Sequence, residues 1–388
     1  MTGTVTGLTD VVEAAHATVT RPLGRSVRTR GLTGLVYRIV RAVTRGVGHA
    51  LDAVLPASAS GTTDALPRGG PARDAVVAAL NGAFGDTLAA QGNPLATPMH
   101  LRHGGRTLDL GDIAASVPAP SDVVLVRVHG ICMHDGQWGG DGHDPAATLA
   151  EGLGATLVSL RYNSGRHISE NGRDFAGLLE TLVAAWPREV RRLVIVGHSM
   201  GGLVARSAFA VATEAGHTWP ARDVSLAMLG SPHHGAPLER IGNRVDALLG
   251  ATRYSAPFAR LGQIRSAGVT DLRFGTVRDE DWADHDRFER GPDRRRPLPL
   301  PEGVACYVVA ATTGDGHGGR RDQTMGDGLV PLDSALGRHP DPAHDLGVPA
   351  DRQWVAAGMT HFDLIRRPEV TARLLAWLVP PRGATPAI

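Results

Sequence analysis

Six short, almost uninterrupted apolar runs punctuate the chain after residue 120: VVLVRV (123–128), ATLVSLRY (155–162), RLVIVG (192–197), VSLAML (224–229), ACYVVAA (305–311) and QWVAAG (353–358). Strands that alternate apolar and polar residues cover one face of a sheet, whereas continuous apolar strands are buried on both. Helical patterns lie between several of these runs, and strand–helix alternation of this kind builds a mostly parallel sheet. The expectation is an α/β fold with a mostly parallel central sheet flanked by helices. Just upstream, MHLRHGGRTLDL (99–110) reads as two short strands joined through a His-Gly-Gly turn.

The flanking segments divide the chain. Residues 1–95 form an N-terminal helical extension with a linker, and residues 96–388 the α/β domain. Within the extension, Leu32, Leu35, Val36, Ile39, Val40, Val43, Val47, Leu51, Val54 and Leu55 fall at helical spacing, with Arg38, Arg41 and Arg45 on another face. A basic amphipathic helix of this kind packs on a neighbouring domain or makes a peripheral membrane contact. Residues 56–71, rich in Ser, Gly, Thr and Pro, read as linker, and a second helix is expected over 74–90. The strand–helix alternation is interrupted at about 237–300. The helical patterns LERIGNRVDALLG and FARLGQIRSAG are a candidate lid, and the charged stretch 278–296 reads as a solvated loop.

The third apolar run continues into a turn and then a helical pattern, RLVIVGHSMGGLVARSA, so that Gly197-His198-Ser199-Met200-Gly201 is a G-x-S-x-G sequence in strand–turn–helix context. Such a turn strains the serine backbone and exposes its Oγ at the end of the strand, beside the N–H groups of a helix N-terminus. The bland reading is a Gly-rich turn that happens to contain Ser; the strand and helix in register argue against it. A serine hydroxyl needs a base. Of 17 histidines, His361 in AAGMTHFDLIRRPEV lies just after the last apolar run and before the closing helix, the place a base would enter, whereas His198 packs beside the nucleophile. A second oxyanion donor is sought in the loop after the first long run, VVLVRVHGICMHDGQW, where His129 and Gly130 lead to Ile131; the Ile131 N–H and that of Met200 are the candidate pair. His129, His134 and His143, with Asp135 and Asp141, lack ligand spacing, and no metal or cofactor is expected.

GHSMGG, the strand-HG loop, SPHHGAP, GDGLVP and THFD, in this order, resemble the lipase branch of the α/β-hydrolase superfamily, near bacterial relatives of the GPI inositol-deacylase and triacylglycerol lipase groups. The resemblance spans about 98–379. It implies an α/β-hydrolase fold and a triad in the order Ser, acid, His, with the acid on the loop TTGDGHGGRRDQTMGDGLVPLDS (312–334). Asp327 matches the Asp-Gly-hydrophobe-Val segment that carries the acid in related lipases. Asp315 is the rival, Asp322 sits in an Arg-rich stretch read as solvated, and Asp333 is read as the cap of a following helix. Some of those lipases bind calcium through an Asp two residues after the His, matching Asp363; the next ligand position lacks an acid or amide here, and Asp363 is read as a helix cap. The implied activity is serine hydrolysis of carboxylic esters through an acyl-enzyme. A thioesterase or acyltransferase with the same triad and a non-catalytic binding protein on the same scaffold are the alternatives.

Composition excludes little else. With 388 residues, 42% apolar and 20% charged and a formal net charge of +1, the chain has no global field that would draw it to nucleic acid. Only two cysteines occur, Cys132 and Cys306, which argues against a disulfide framework. The N-terminus lacks a signal-peptide pattern and no run of about 18 apolar residues appears. A cytoplasmic protein acting on a small-molecule or lipid ester is the expectation.

Overall fold

The computed structural model of the chain describes residues 70–379, apart from 140–142, 237–265, 285, 288–291 and 317–318. Each of the six apolar runs is a strand in it: β3 (Val123–Val128), β4 (Thr156–Arg161), β5 (Arg192–His198), β6 (Asp223–Leu229), β7 (Ala305–Thr312) and β8 (Gln353–Ala357). The expected hairpin is β1 (His100–His103) and β2 (Arg106–Thr107), turning through Gly104 and Gly105, both at positive φ. The strands form one eight-stranded sheet in the order β2-β1-β4-β3-β5-β6-β7-β8. Strand β1 runs antiparallel to β2 and β4, and every other pairing is parallel.

The helices described are α1 (Pro71–Ala90), α2 (Ile113–Ser116), α3 (Pro145–Leu153), α4 (Ile168–Ala185), α5 (Met200–Ala215), α6 (Ala267–Asp271), α7 (Arg320–Met325), α8 (Leu332–Leu336) and α9 (Pro368–Leu378). Local chemistry sets several of their ends. Asp144 accepts hydrogen bonds from the Ala146 and Ala147 N–H groups ahead of Pro145 at the start of α3, and Gly154 and Gly216 close α3 and α5 in the left-handed conformation.

Both faces of the sheet are covered, which is why its strands read as continuous apolar runs. Leu125, Val194, Val196, Leu229 and Val309 pack with Leu149 and Ala150 of α3 and with Val370, Leu374 and Leu378 of α9. Their neighbours in sequence, Val124, Val126, Leu193, Ile195, Leu226 and Met228, are equally buried on the opposite face, where Gly202 of α5 comes against Met228. Each such Leu, Ile or Val contributes about 1.5–3 kcal/mol through burial. The parallel order puts the C-terminal ends of β3, β5, β6 and β7 side by side, with Val128 beside Gly197 and His198 beside Leu229.

By its contacts the chain divides into two units, Met1–Val76 with Gly242–Gln263 and Val77–Ile241 with Ile264–Ile388. Most of α1 thus belongs to the unit that holds the sheet. The Asn81 side chain ties α1 to the segment after it, donating to the Leu95 carbonyl at 2.8 Å and accepting from the Thr97 N–H at 2.8 Å. The helix expected over 32–55, the linker up to residue 69 and residues 237–265 of the candidate lid called over about 237–300 lie outside the described residues, and α6 (Ala267–Asp271) is the helical part of that insertion that is described.

Among its described residues the charged stretch 278–296 is exposed or half-buried, and its reading as a solvated loop is corrected by side chains that tie it to the domain. The Arg295 side chain is 8% exposed and donates to the carbonyls of His233 and Gly275 at 2.9 and 3.2 Å, anchoring the loop to the domain. Among the described residues no helix is long and apolar enough to cross a membrane. Cys132 and Cys306 are both free and buried.

Candidate active site

Ser199 follows β5 directly and caps α5, with φ 55 and ψ −123. A non-glycine residue in that region is strained and stays there only when its surroundings hold it. The hold is visible: the Ser199 N–H donates to the Leu229 carbonyl at 2.8 Å, and a Cβ at Gly130 would come 3.1 Å from Ser199 Cβ. The glycines of the elbow supply space rather than unusual dihedrals. A Cβ on Gly197 would lie 2.5 Å from the Gly202 nitrogen, and one on Gly201 would overlap the Val128 carbonyl oxygen. Neither has positive φ. Substitution at either would push α5 off the strands and tilt the serine with it.

His361 lies in the loop after β8, as its sequence position predicts, and is 4% exposed. Its Nδ1 donates to Asp327 Oδ2 at 2.6 Å, and its main-chain N–H donates to the Asp327 carbonyl at 3.1 Å. The second carboxylate oxygen of Asp327 is occupied too, accepting from the N–H groups of Leu329 and Val330 at 2.8 Å each. With Nδ1 donating, the neutral ring keeps its acceptor lone pair on Nε2. Gly230, at φ 59, packs on the other side of the imidazole; a Cβ there would be 3.1 Å from ring atoms of His361. Among the described residues no hydrogen bond links Ser199 to His361. Catalytic contacts of this kind commonly tighten only with substrate.

The other aspartates of the 312–334 loop are placed elsewhere. Asp315 is exposed. Asp322 is not solvated, as its Arg-rich surroundings suggest, but 2% exposed, accepting from Thr312 Oγ1 at 2.7 Å. Asp333 sits in the first turn of α8, whose N-cap is Pro331, and makes no side-chain cap. Asp363 does not cap α9, which Arg367 precedes; its carboxylate accepts from the Thr360 N–H and Oγ1 at 2.7 and 2.6 Å and so closes the loop that carries His361. Among the described residues no group of three or more His, Cys, Asp or Glu is arranged to hold a metal ion.

The loop after β3 meets the elbow as expected, with a different residue at its bend. Gly130 does not have positive φ, and its small size instead admits the Ser199 and His198 side chains. The residue in the left-handed region is Cys132, at φ 58, in a turn closed by the Met133 N–H to the Gly130 carbonyl at 3.4 Å. These are the dihedral signs of a type II turn, whose third position ordinarily takes glycine; the conformation costs an L-residue about 1–2 kcal/mol. Ile131 is the residue before it, and its N–H, like that of Met200 at the first position of α5, has no backbone acceptor among the described residues.

A neutral, buried shell surrounds these groups. His129 stacks on Tyr162 with ring centroids 4.3 Å apart, and Tyr162 Oη donates to the His129 carbonyl at 2.8 Å. Burial lowers the His129 pKa to about 3, against a raising contribution from its contact with the Gly130 carbonyl. His198 is fully buried, its Nε2 donating to the His361 carbonyl at 3.1 Å; burial and the nearby His361 imidazole hold its pKa well below the usual value. Beyond this shell, Asp135 is 4% exposed and binds Arg161 Nε at 2.5 Å and Arg102 Nη1 at 3.0 Å. It joins the loop after β3 to β1 and β4. Sequence reasoning considered Asp135 only as a metal ligand, and overlooked Tyr162, Ser164, Gly230 and the conformation of Cys132. A cavity of about 90 Å³ lined in part by Asp271, Phe274, Trp282 and Arg295 includes none of the elbow, dyad or turn residues.

Comparison with known protein families agrees with the fold. The model of a family described as PGAP1-like alpha/beta domain matches residues 177–293, less than a third of the chain, taking in the nucleophile elbow. No curated protein sequence matches. Similar solved structures include the mature form of the Bacillus licheniformis lipase BlEst2, at 18% identity over 65% of this chain and 91% of that one, with a TM-score of 0.41. The RedJ thioesterase of the Streptomyces coelicolor prodiginine pathway is 19% identical over 67% of this chain and 91% of that one, with a TM-score of 0.34. The Pyrococcus furiosus esterase Pf2001 is 15% identical over 66% and 80%, with a TM-score of 0.38. These likenesses are distant, and the chemistry has to be read from the residues of this chain. The mostly parallel sheet, the G-x-S-x-G elbow between β5 and α5 and the family match across that elbow give the chain an α/β-hydrolase fold, similar over residues 177–293 to the PGAP1-like alpha/beta domains.

Proposed function

We propose that the protein is a serine hydrolase that cleaves carboxylic esters through an acyl-enzyme. The observation that carries this reading is the buried Asp327–His361 pair, with Nδ1 donating at 2.6 Å, at the same sheet edge as a serine held at φ 55. A carboxylate that fixes one imidazole nitrogen as donor leaves the other as base, which a hydroxyl nucleophile requires.

In the proposed reaction His361 Nε2 takes the Ser199 proton as Oγ bonds to the ester carbonyl carbon. The negative charge that develops on the carbonyl oxygen is received by the N–H groups of Ile131 and Met200. The tetrahedral intermediate collapses with cleavage of the carbon–oxygen bond to the alcohol, which leaves with the proton from His361. Water then repeats the sequence on the acyl-Ser199 ester and releases the acid. Asp327 orients the imidazole and stabilises it when charged, and neutral His129 and His198 avoid a competing positive charge beside it. Each step is completed by protein groups and water.

Labelling with a fluorophosphonate probe, together with hydrolysis of a series of p-nitrophenyl esters and acyl-CoA thioesters, tests the proposal. The expected result is labelling at Ser199 and turnover of oxygen esters, both abolished in Ser199→Ala. Preference for the thioester series would move the assignment to a thioesterase. Absence of both labelling and turnover in the wild-type protein would overturn it.

A further inference from the structure

The turn at Gly130–Met133 raises a question that the catalytic residues leave open. It keeps Cys132 at φ 58, a conformation that favours glycine, directly after Ile131, whose N–H is a donor in the proposed reaction. Two contacts from distant parts of the chain hold it there. The Cys132 N–H donates to Ser164 Oγ at 3.0 Å, and Ser164 is 1% exposed. On the other side, Cys132 lies directly against Gly82 of α1. A Cβ on Gly82 would overlap Cys132 Sγ and lie 2.8 Å from both its Cα and its nitrogen.

Both supports are themselves fastened. Ser266 Oγ donates to the Gly82 carbonyl at 2.7 Å, and Asn163 Nδ2 donates to the Gly85 carbonyl at 2.8 Å. Asn163 Oδ1 accepts from the Gly165 N–H at 3.1 Å, and the Gly268 N–H donates to the Gly165 carbonyl at 3.0 Å. The loop bearing Ser164 and the helix bearing Gly82 therefore form one hydrogen-bonded wall behind the turn.

We infer that Ser164, acting through the Cys132 N–H, is a positioning residue for the oxyanion hole, and that helix α1 backs the same turn through Gly82. The inference rests on the serine-hydrolase reading. The bond to Ser164 fixes the plane of the Ile131–Cys132 peptide. In a type II turn that plane is free to flip, and a residue with a Cβ in the left-handed position favours the flip. Once that peptide is released the turn no longer packs in one arrangement between Gly82 and the elbow, and the Ile131 N–H one peptide earlier is no longer held toward the developing oxyanion. Donors of this kind act in the transition state more than in substrate binding, so a misaligned donor lowers kcat and spares KM.

The test uses the full chain, a short-chain p-nitrophenyl ester and a trifluoromethyl ketone, which forms an oxyanion on binding serine. Ser164→Ala is expected to lower kcat at least tenfold with KM within about threefold, and to weaken the trifluoromethyl ketone in proportion to kcat/KM. Cys132→Gly added to Ser164→Ala is expected to restore kcat at least threefold, because glycine holds the left-handed conformation without help. Unchanged kcat in Ser164→Ala, or a loss that Cys132→Gly does not restore, overturns the inference. Should Ser164→Ala not fold, Gly82→Ala takes its place with the same kcat and KM expectation, and unchanged kcat there is equally fatal. Ser199→Ala measured in parallel separates the two levels: equal turnover with and without Ser199 defeats the serine-hydrolase reading, whereas a Ser199-dependent activity indifferent to Ser164 defeats only this inference.

Discussion

Asp327 grips His361 at two points, through its carboxylate to the ring Nδ1 at 2.6 Å and through its main-chain carbonyl to the His361 N–H at 3.1 Å. The side-chain contact selects the tautomer, and the main-chain contact sets the height of the ring above the sheet edge. Asp327→Asn removes the first and keeps the second. It is expected to lower turnover by orders of magnitude, about ten-thousandfold in the protease precedent, with little change in fold. Asp315→Asn, at an exposed position, is expected to leave turnover within about twofold. Steady-state kinetics of the two variants check the assignment, and the reverse pattern would move the acid to Asp315.

Gly130 lies against Ser199, and Gly230 against the His361 ring. A methyl at Gly130 stands 3.1 Å from Ser199 Cβ, so Gly130→Ala is expected to displace the nucleophile from its donors and cut kcat by about a hundredfold. Circular dichroism and a melting curve close to wild type would show that the loss is local. Wild-type kcat in this variant would mean that the loop after β3 is further from the reaction than proposed.

Asp135 makes a different kind of contribution. Burial alone would raise its carboxyl pKa, and Arg161 and Arg102 more than offset this, holding it below the usual range. Removing the charge leaves two cations facing each other across a buried site. Asp135→Asn is therefore expected to destabilise the protein by about 3–5 kcal/mol. Urea denaturation measures this, and a shift in midpoint of negligible size would show that solvent screens the pair.

Acid sensitivity follows from the buried imidazoles. His129, at about 3, and His198 and His233, well below 6.5, all have folded pKa values depressed by burial. The unfolded chain takes up protons on these groups below about pH 6.5 while the folded chain does not, so stability is fully present above that pH and falls as pH drops. Melting temperature is expected to decline steadily between about pH 6.5 and 4, and less steeply in His129→Gln. A flat profile across that interval would contradict the burial of these rings.

Much of the sheet was readable because burial on both faces writes itself into consecutive residues, as in β3 and β5. The elbow was readable for a related reason: strand, serine turn and helix are contiguous, so Gly197, Ser199 and Gly201 carry the geometry within one pentapeptide. His361 and Asp327 followed from chain order and resemblance. Contacts across long sequence intervals left no such trace. Nothing local distinguishes Ser164 from other loop serines, or Gly82 from a glycine that merely weakens a helix; their meaning exists only opposite Cys132. Asp322 misled for the same reason, since its arginine neighbours suggest solvent while its partner, Thr312, stands on the end of β7.

The contact between Gly82 and Cys132 also bears on where this protein tolerates shortening. A natural cut by sequence would fall near residue 95, after α1, and would keep all eight described strands and the proposed triad. It would also remove the surface on which the strained turn rests, so under the proposed function the shortened protein is expected to keep Ser199 in its elbow and lose rate. A cut before residue 77 spares that support, and the two products would differ in turnover while sharing the same sheet.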